Sequence, residues 1–397
     1  MKNTKTYSLF NKISYTLICT IGSGVLIGPQ ILRKDAEYNI VVINVALIIV
    51  TLISQLLAQG YAELKRIIPE KGGDFLYIDL AFSRTVGTIY SLVMLLILVP
   101  SCNSFFCSHF SSLLNLQGRN KLIFIIIMLA ALTIFALLPI KKRIVALKIL
   151  SNLQNSALIA LSFLIPLAYY KSDSNPKISQ TGNCNVSSFS LKNLLRTISA
   201  AYFYFSGYYE CNGLPANVVG DLSIAYLIAL FMIYATYAYF VNWILLLYQN
   251  EPRPVDLKDI LGFIPNYNFT YVISRLIQFC IYIPPLCGNM FCCNNNLSFV
   301  SDRLKLSKVN SNLLLSAVPL LSLFFLFLED NEILRVVDFL FFFATLLSMV
   351  SIPVLSKRKE RQGEKINRKF PNSVAYFAAV SCFLLCSINF YFFIDSF

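Results

Sequence analysis

Ile21-Gly22-Ser23-Gly24-Val25-Leu26-Ile27-Gly28-Pro29 is the first stretch in this chain that could do chemistry without a reactive side chain. It lies in the middle of the apolar segment from about Tyr7 to Leu32. Glycine costs ~1 kcal/mol in a helix interior relative to alanine, so two glycines around a serine invite the helix to unwind. An unwound turn leaves the first N–H groups of the second half-helix unpaired, at the positive end of its dipole. Gly22, Ser23 and Gly24 would then hold an anion such as a carboxylate through backbone donors, with Thr20 and Ile21 at the preceding helix end. The competing reading is close packing on a neighbouring helix through small residues.

Two acidic residues inside apolar segments, Glu210 and Asp338, are the other candidates. Intramembrane carboxylates default to functional roles such as proton acceptor or counter-ion. The alternative is a carboxylate near a helix end in a wet cavity. The single histidine, His109, has no acid, base or metal ligand at a useful spacing, and Cys292-Cys293 has no partner ligands. The chain therefore reads as a non-enzyme with no catalytic residues, no metal and no cofactor.

The elements that must position these residues are membrane spans. Of 397 residues, 57% are hydrophobic and only 13% charged, against about 25% charged in soluble domains. Apolar length predicts eleven helices, at about 7–32, 39–64, 84–114, 121–139, 144–170, 192–214, 223–248, 270–298, 311–328, 333–356 and 373–394. With the N-terminus cytoplasmic, inner loops hold 20 of the 33 basic residues and outer loops nine. This bias predicts an integral membrane protein with its N-terminus inside and its C-terminus outside. The net charge of +13 is then a topology signal, and no nucleic-acid partner is expected. No cleavable signal peptide is expected, because the first apolar run is too long. Most of the eleven cysteines lie in spans, and Cys184 alone is in a clear external loop, beside an Asn185-Val186-Ser187 glycosylation triplet.

Span six carries a second interruption, at Ser206-Gly207 and at Gly213-Leu214-Pro215. Interrupted helices at corresponding positions, five spans apart, point to two repeats facing opposite ways with a site between them. The expected architecture is one all-α transporter domain over 1–397. Repeat one covers about 7–170, repeat two about 192–356, and 373–394 is an extra helix.

A cytoplasmic stretch after span two is the most specific piece of sequence. Tyr61-Ala62-Glu63-Leu64 followed by Ile68-Pro69-Glu70-Lys71-Gly72-Gly73-Asp74-Phe75-Leu76-Tyr77-Ile78 resembles the loop after helix two of the L-type amino acid transporters. These form a branch of the amino acid–polyamine–organocation (APC) superfamily. Gly22 to Pro29, Val99-Pro100-Ser101-Cys102, Ala201 to Tyr209, the loop Phe299-Val300-Ser301-Asp302-Arg303 and the aromatic run Val336 to Phe343 are similar to other parts of that family. The resemblance covers nearly the whole chain. It implies a five-plus-five inverted-repeat (leucine-transporter-type) fold and a secondary transporter moving amino acids by alternating access.

The resemblance also implies that the substrate carboxylate meets Gly22, Ser23 and Gly24. Its ammonium would meet carbonyls near Thr20, Phe203, Ser206 and Gly207, with Phe203 as an aromatic gate. Ser101, Cys102 and Phe342 are expected in the pocket wall. Glu210 and Asp338 stand where the family usually has an aromatic residue and an asparagine, and are the candidate coupling groups. Without the resemblance, Phe203 reads as one more packing residue. A sensor that keeps the binding site without net transport is the alternative function. The expected setting is the plasma membrane, with an amino acid and the lipid bilayer as partners. No disulfide-linked partner subunit is expected, because Asn115 to Lys121 lacks the cysteine by which some members of the resembled family are tethered to a partner. The chain departs from the family at Leu153-Gln154-Asn155-Ser156, at Pro215-Ala216-Asn217, and in having eleven spans where twelve are usual.

Overall fold

The computed structural model describes residues 8–21, 24–37, 39–70, 72–172, 190–208, 212, 220–247, 267–328, 330–363 and 369–394. Gly22, Ser23, Cys184, Asn185, Glu210 and Gly213 to Asn217 lie outside the described residues. Among the described residues every regular element is helical.

Span one is two helices, α1 (Leu9–Thr20) and α2 (Gly24–Asp35), each of 12 residues. After them come α3 (Ile40–Ile67) and the short α4 (Asp74–Ala81). Span three is α5 (Arg84–Val93), a π-helical turn (Met94–Leu98) and α6 (Val99–Leu113). It leads to α7 (Gly118–Leu137), α8 (Ile140–Ser172) and α9 (Leu191–Phe205). The remainder is α10 (Ser223–Leu247), α11 (Tyr267–Leu304), α12 (Lys308–Phe325), α13 (Asp330–Arg361) and α14 (Asn372–Ile394). Nine helices among the described residues are long and apolar enough to cross a membrane. The other two expected spans are the interrupted ones, whose longest piece is the 15-residue α9. The chain is an α-helical, multi-pass membrane protein.

Local chemistry sets the helix starts. The Asn39 carboxamide accepts from Val41 and Val42 N–H groups at 3.0 and 3.2 Å, and Ser83 accepts from Val86 at 3.2 Å. Caps of this kind are each worth ~1 kcal/mol. Hydroxyls within the helices bond back to the carbonyl four residues earlier, as Ser91 does to Gly87 and Thr197 to Asn193, both at 2.7 Å. Such bonds cover the hydroxyl within its own helix. Apolar residues that would be hidden in a soluble protein, such as Ile127, Ile134, Phe163, Phe324 and Phe377, are exposed. They form the lipid-facing surface.

Some boundaries differ from those expected. Phe299 to Arg303 was anticipated as a loop and is instead the last turn of α11. Lys65 and Arg66 are helical at the end of α3, because their charges are satisfied where they stand. Lys65 Nζ donates to the carbonyls of Glu70 (2.8 Å) and Asn212 (3.0 Å). Arg66 joins Glu63 and Asp221, each at 2.8 Å. α9 ends at Phe205, where the interruption at Ser206-Gly207 was expected, and most of the remainder of span six lies outside the described residues.

The interrupted helices form the interior of one group. α3 packs along α9 and α10, α1 and α2 both pack on α10, and α2 packs on α9. Asn44 on α3 and Asn242 on α10 exchange paired amide bonds at 3.0 Å. α6, α7, α11 and α12 pack together beside this group, and α13 bridges to it through α3 while carrying α14 on its flank.

Candidate functional site

Helix α1 ends at Thr20 because the next carbonyl turns sideways. Ile21 is in an extended conformation, and its N–H closes on the Leu17 carbonyl at 2.7 Å. Its own carbonyl accepts from the Gln154 carboxamide of α8. Gln154 is 1% exposed, so this bond satisfies a buried backbone group at the break. α2 restarts at Gly24, where there is no room for a side chain. A Cβ there would run into the Tyr204 ring and lie 2.8 Å from the Tyr237 hydroxyl.

Helix α9 ends in the same place. Ser206 caps it, donating to the Phe203 carbonyl from its N–H (3.3 Å) and its hydroxyl (2.7 Å). Gly207 then turns the chain at φ +99°, a conformation that favours glycine. Its Cα faces the main chain of Cys19, so the ends of the two interrupted helices touch.

A cavity of about 70 Å³ opens where they meet. Cys19, Thr20, Gly24, Ser206 and Gly207 form its backbone-rich end. Phe203, Tyr204, Phe106, Tyr237 and Phe341 contribute aromatic rings, and Cys102, Pro285, Gly288 and Asn289 complete the wall. Among the described residues no charged side chain lines the cavity. Of these residues, the helix-end backbone is what can meet a ligand's charge, the C-terminus of α1 for a cation and the N-terminus of α2 for an anion. The volume corresponds to roughly five or more water-sized spheres of ~10–15 Å³ each, about the size of an amino acid's charged head.

The expected residues Thr20, Gly24, Phe203, Ser206, Gly207 and Cys102 come together around this cavity. Ile21 sits beside it, 4% exposed, with its carbonyl on Gln154. Ser101 points its hydroxyl back to the Ile97 carbonyl at 2.7 Å. Phe342 stacks on Tyr202 with ring centroids 4.3 Å apart, and Phe341 takes the place in the wall. The Phe203 carbonyl, expected to face an ammonium, already accepts twice from Ser206. His109 packs edge-on against Phe105 at 4.4 Å, and Phe105 packs on Phe203 at 5.5 Å. Asp338 is buried on α13, one turn from Phe341.

Several wall residues carried no clear signal in the sequence. Tyr204 and Tyr237 stand among many tyrosines. Asn289 is held by donating to Asn103 Oδ1 at 2.9 Å, and Asn103 in turn donates to the Met290 sulfur at 3.4 Å. The Pro284-Pro285 pair was the available clue on α11. Two adjacent prolines leave two carbonyls of the preceding turn without helical donors.

At one end of the helices, charged side chains tie the group together. Besides Glu63 and Arg66, Asp221 Oδ2 meets Lys369 Nζ at 3.3 Å, and its carbonyl accepts from Lys12 Nζ at 3.1 Å. Lys369 N–H donates to Glu63 at 3.3 Å. Burial alone would raise the Asp221 pKa, but the Ser223 N–H and the Arg66 guanidinium outweigh it and hold it at about 2. Arg303 pairs with Asp79 and lies over the Phe299 ring, 5.1 Å from its centroid.

The chain matches no protein-family model and no curated protein sequence.

Proposed function

We propose that this protein is a secondary carrier that moves α-amino acids with uncharged side chains across a membrane by alternating access. The observation that carries this reading is the cavity between the ends of α1, α2 and α9, bounded by helix termini and, among the described residues, by no charged side chain. A zwitterion suits that setting, because each of its charges finds a helix end of opposite sign. The carboxylate would sit at the start of α2, at Gly22, Ser23 and Gly24. The ammonium would sit against the end of α1 at Cys19 and Thr20 and against the turn at Ser206 and Gly207, the Phe203 carbonyl being occupied. Phe203 and Phe106 would cover the substrate, and Cys102, Gly288, Asn289 and Phe341 would contact its side chain.

The inverted-repeat fold of the L-type amino acid transporters accommodates this reading, with α1/α2, α3, α9 and α10 moving as one body against the rest. The wall offers small side chains, aromatic rings and one carboxamide, which suit binding and not bond-breaking. The N-terminus would face the cytoplasm of a plasma membrane.

The test is uptake of a panel of radiolabelled amino acids into proteoliposomes, run beside Gly24→Trp. Saturable uptake by the native protein and none by the variant is the expected result. Ligand-dependent stabilisation without flux would replace the carrier with a sensor. Neither flux nor stabilisation by any amino acid would remove the reading.

A further inference from the structure

Asp338 is 3% exposed, and its Oδ1 has no hydrogen-bond partner among the described residues. Glu63 and Asp79 are paired with the guanidinium groups of Arg66 and Arg303, and Asp74 meets the Tyr61 hydroxyl. Among the described residues no cation pairs with Asp338. Its hydrogen-bonding neighbour is the neutral amide of Asn389 on α14, which also donates to Ser199 of α9 at 3.1 Å. From α9 come the Tyr202 and Tyr204 phenols, and from the end of α2 comes Asp35, a like charge. Arg196 and Arg335 are near Asp35, and Arg335 is near Asp338 as well; both also contact the last helix. Arg335 donates to the Phe392 carbonyl at 2.6 Å, and Arg196 lies over the Phe392 ring at 5.1 Å. On the other helices packed on α13, His109 of α6 lies against Phe105, and Glu63, Lys65, Arg66, Asp74 and Asp79 belong to the far ends of α3 and α4.

A buried carboxylate with a neutral amide donor and no paired cation is costly, and a carboxyl group that carries a proton is not. Asp338 also stands directly behind the cavity. Phe341, one turn along, lines it, and Phe342 stacks on Tyr202, whose chain neighbour Phe203 lines it as well. Resting on the carrier reading, we propose that Asp338 is the proton-binding site that couples amino acid movement to a proton gradient.

In the charged state, Asp338 repels Asp35 at the end of α2, which packs on α9, as α9 packs on α13. With a proton bound it gains an O–H donor and loses that repulsion. Substrate contacts between α9 and α13 favour the same packing, so proton and substrate each favour binding of the other. One proton and one zwitterion cross together per cycle, which moves one positive charge.

The experiment uses proteoliposomes loaded with a pH-sensitive dye, an inward acid gradient, and a panel of labelled neutral amino acids as probes. The native protein is expected to accumulate substrate by up to ~tenfold per pH unit for one proton, with acidification of the lumen. Asp338→Asn is expected to lose gradient-driven accumulation and lumen acidification. Asp338→Glu should keep both with a displaced pH profile. Uptake by the native protein without lumen acidification overturns the proposal and leaves the carrier intact. So does accumulation retained in Asp338→Asn. Absence of any uptake overturns the carrier reading and this one with it. Acid-minus-alkaline infrared difference spectra of the purified protein give a readout independent of transport. A protonated-carboxyl band that moves in Asp338→Glu is expected, and a spectrum unchanged by that substitution counts against the site.

Discussion

Gly207 presses on the main chain of Cys19. A Cβ added to Gly207 would overlap the Cys19 carbonyl oxygen and lie 3.1 Å from its carbon, and the residue sits at φ +99°. The obstacle is backbone, which cannot rotate away as a side chain can. Gly207→Ala is expected to cost ~1–2 kcal/mol for the left-handed backbone alone, and more for the overlap. Gly288→Ala is the matched comparison, because its Cβ would meet nothing within 4 Å. It should hold or raise stability by ~0.5–1 kcal/mol while placing a methyl group in the cavity wall. Thermal melting in detergent reads the first effect, and amino-acid-dependent stabilisation reads the second. Equal melting of the two variants would mean that the helix ends are not in contact.

Gln154 is the expected support of the break in span one. Gln154→Leu removes the donor to the Ile21 carbonyl and leaves a buried backbone acceptor bare, at a cost of ~1–3 kcal/mol. The neighbouring Leu153, which is exposed on the lipid-facing side, should tolerate Leu153→Ala within about 0.5 kcal/mol. Amide hydrogen exchange around Thr20 to Val25 should rise in Gln154→Leu and not in Leu153→Ala.

Gly24 and Tyr204 should behave as one unit. Gly24→Ala forces the Tyr204 ring to move and is expected to cost ~1–3 kcal/mol by overpacking. Tyr204→Ala removes the obstacle at its own cost. The double variant should therefore be more stable than the sum of the singles predicts, which a double-mutant cycle on melting measures.

The charged cluster at Asp221 gives a pH dependence of defined sign. Its folded pKa of about 2 lies below the ordinary 3.8. The stability it contributes is present above 3.8 and is lost as pH falls from there toward 2. The side chain is half exposed, so the effect is at most ~1 kcal/mol after screening. Asp221→Asn should remove that part of the acid sensitivity, and melting curves across this window in the native protein and the variant compare it directly.

Fold and site were legible to different depths. Apolar runs of span length and the glycines at 22, 24 and 207 located the helices and the two breaks, because lipid tolerates few alternatives to a continuous helix. The direction of individual side chains was not legible. Phe341, Phe342 and Phe343 are consecutive, and successive residues in a helix point ~100° apart. One lines the cavity, the next stacks on Tyr202 and the third is exposed. Ser101 and Cys102 divide in the same way. Asn289 lies in a 38-residue helix with two internal prolines, where periodicity alone does not set a face.

The π-helical turn at Met94–Leu98 makes residue number in span three matter as much as residue type. A wide turn takes in one residue more than an α-turn, so everything after it is rotated by ~100° from where an unbroken helix would put it. Cys102 and Phe106, four residues apart on one face, reach the cavity in that rotated register. Deleting one leucine from the turn would leave the segment as apolar as before and still long enough to cross the membrane. It would also swing both side chains out of the wall. For this helix, a gap in an alignment is a change in the binding site.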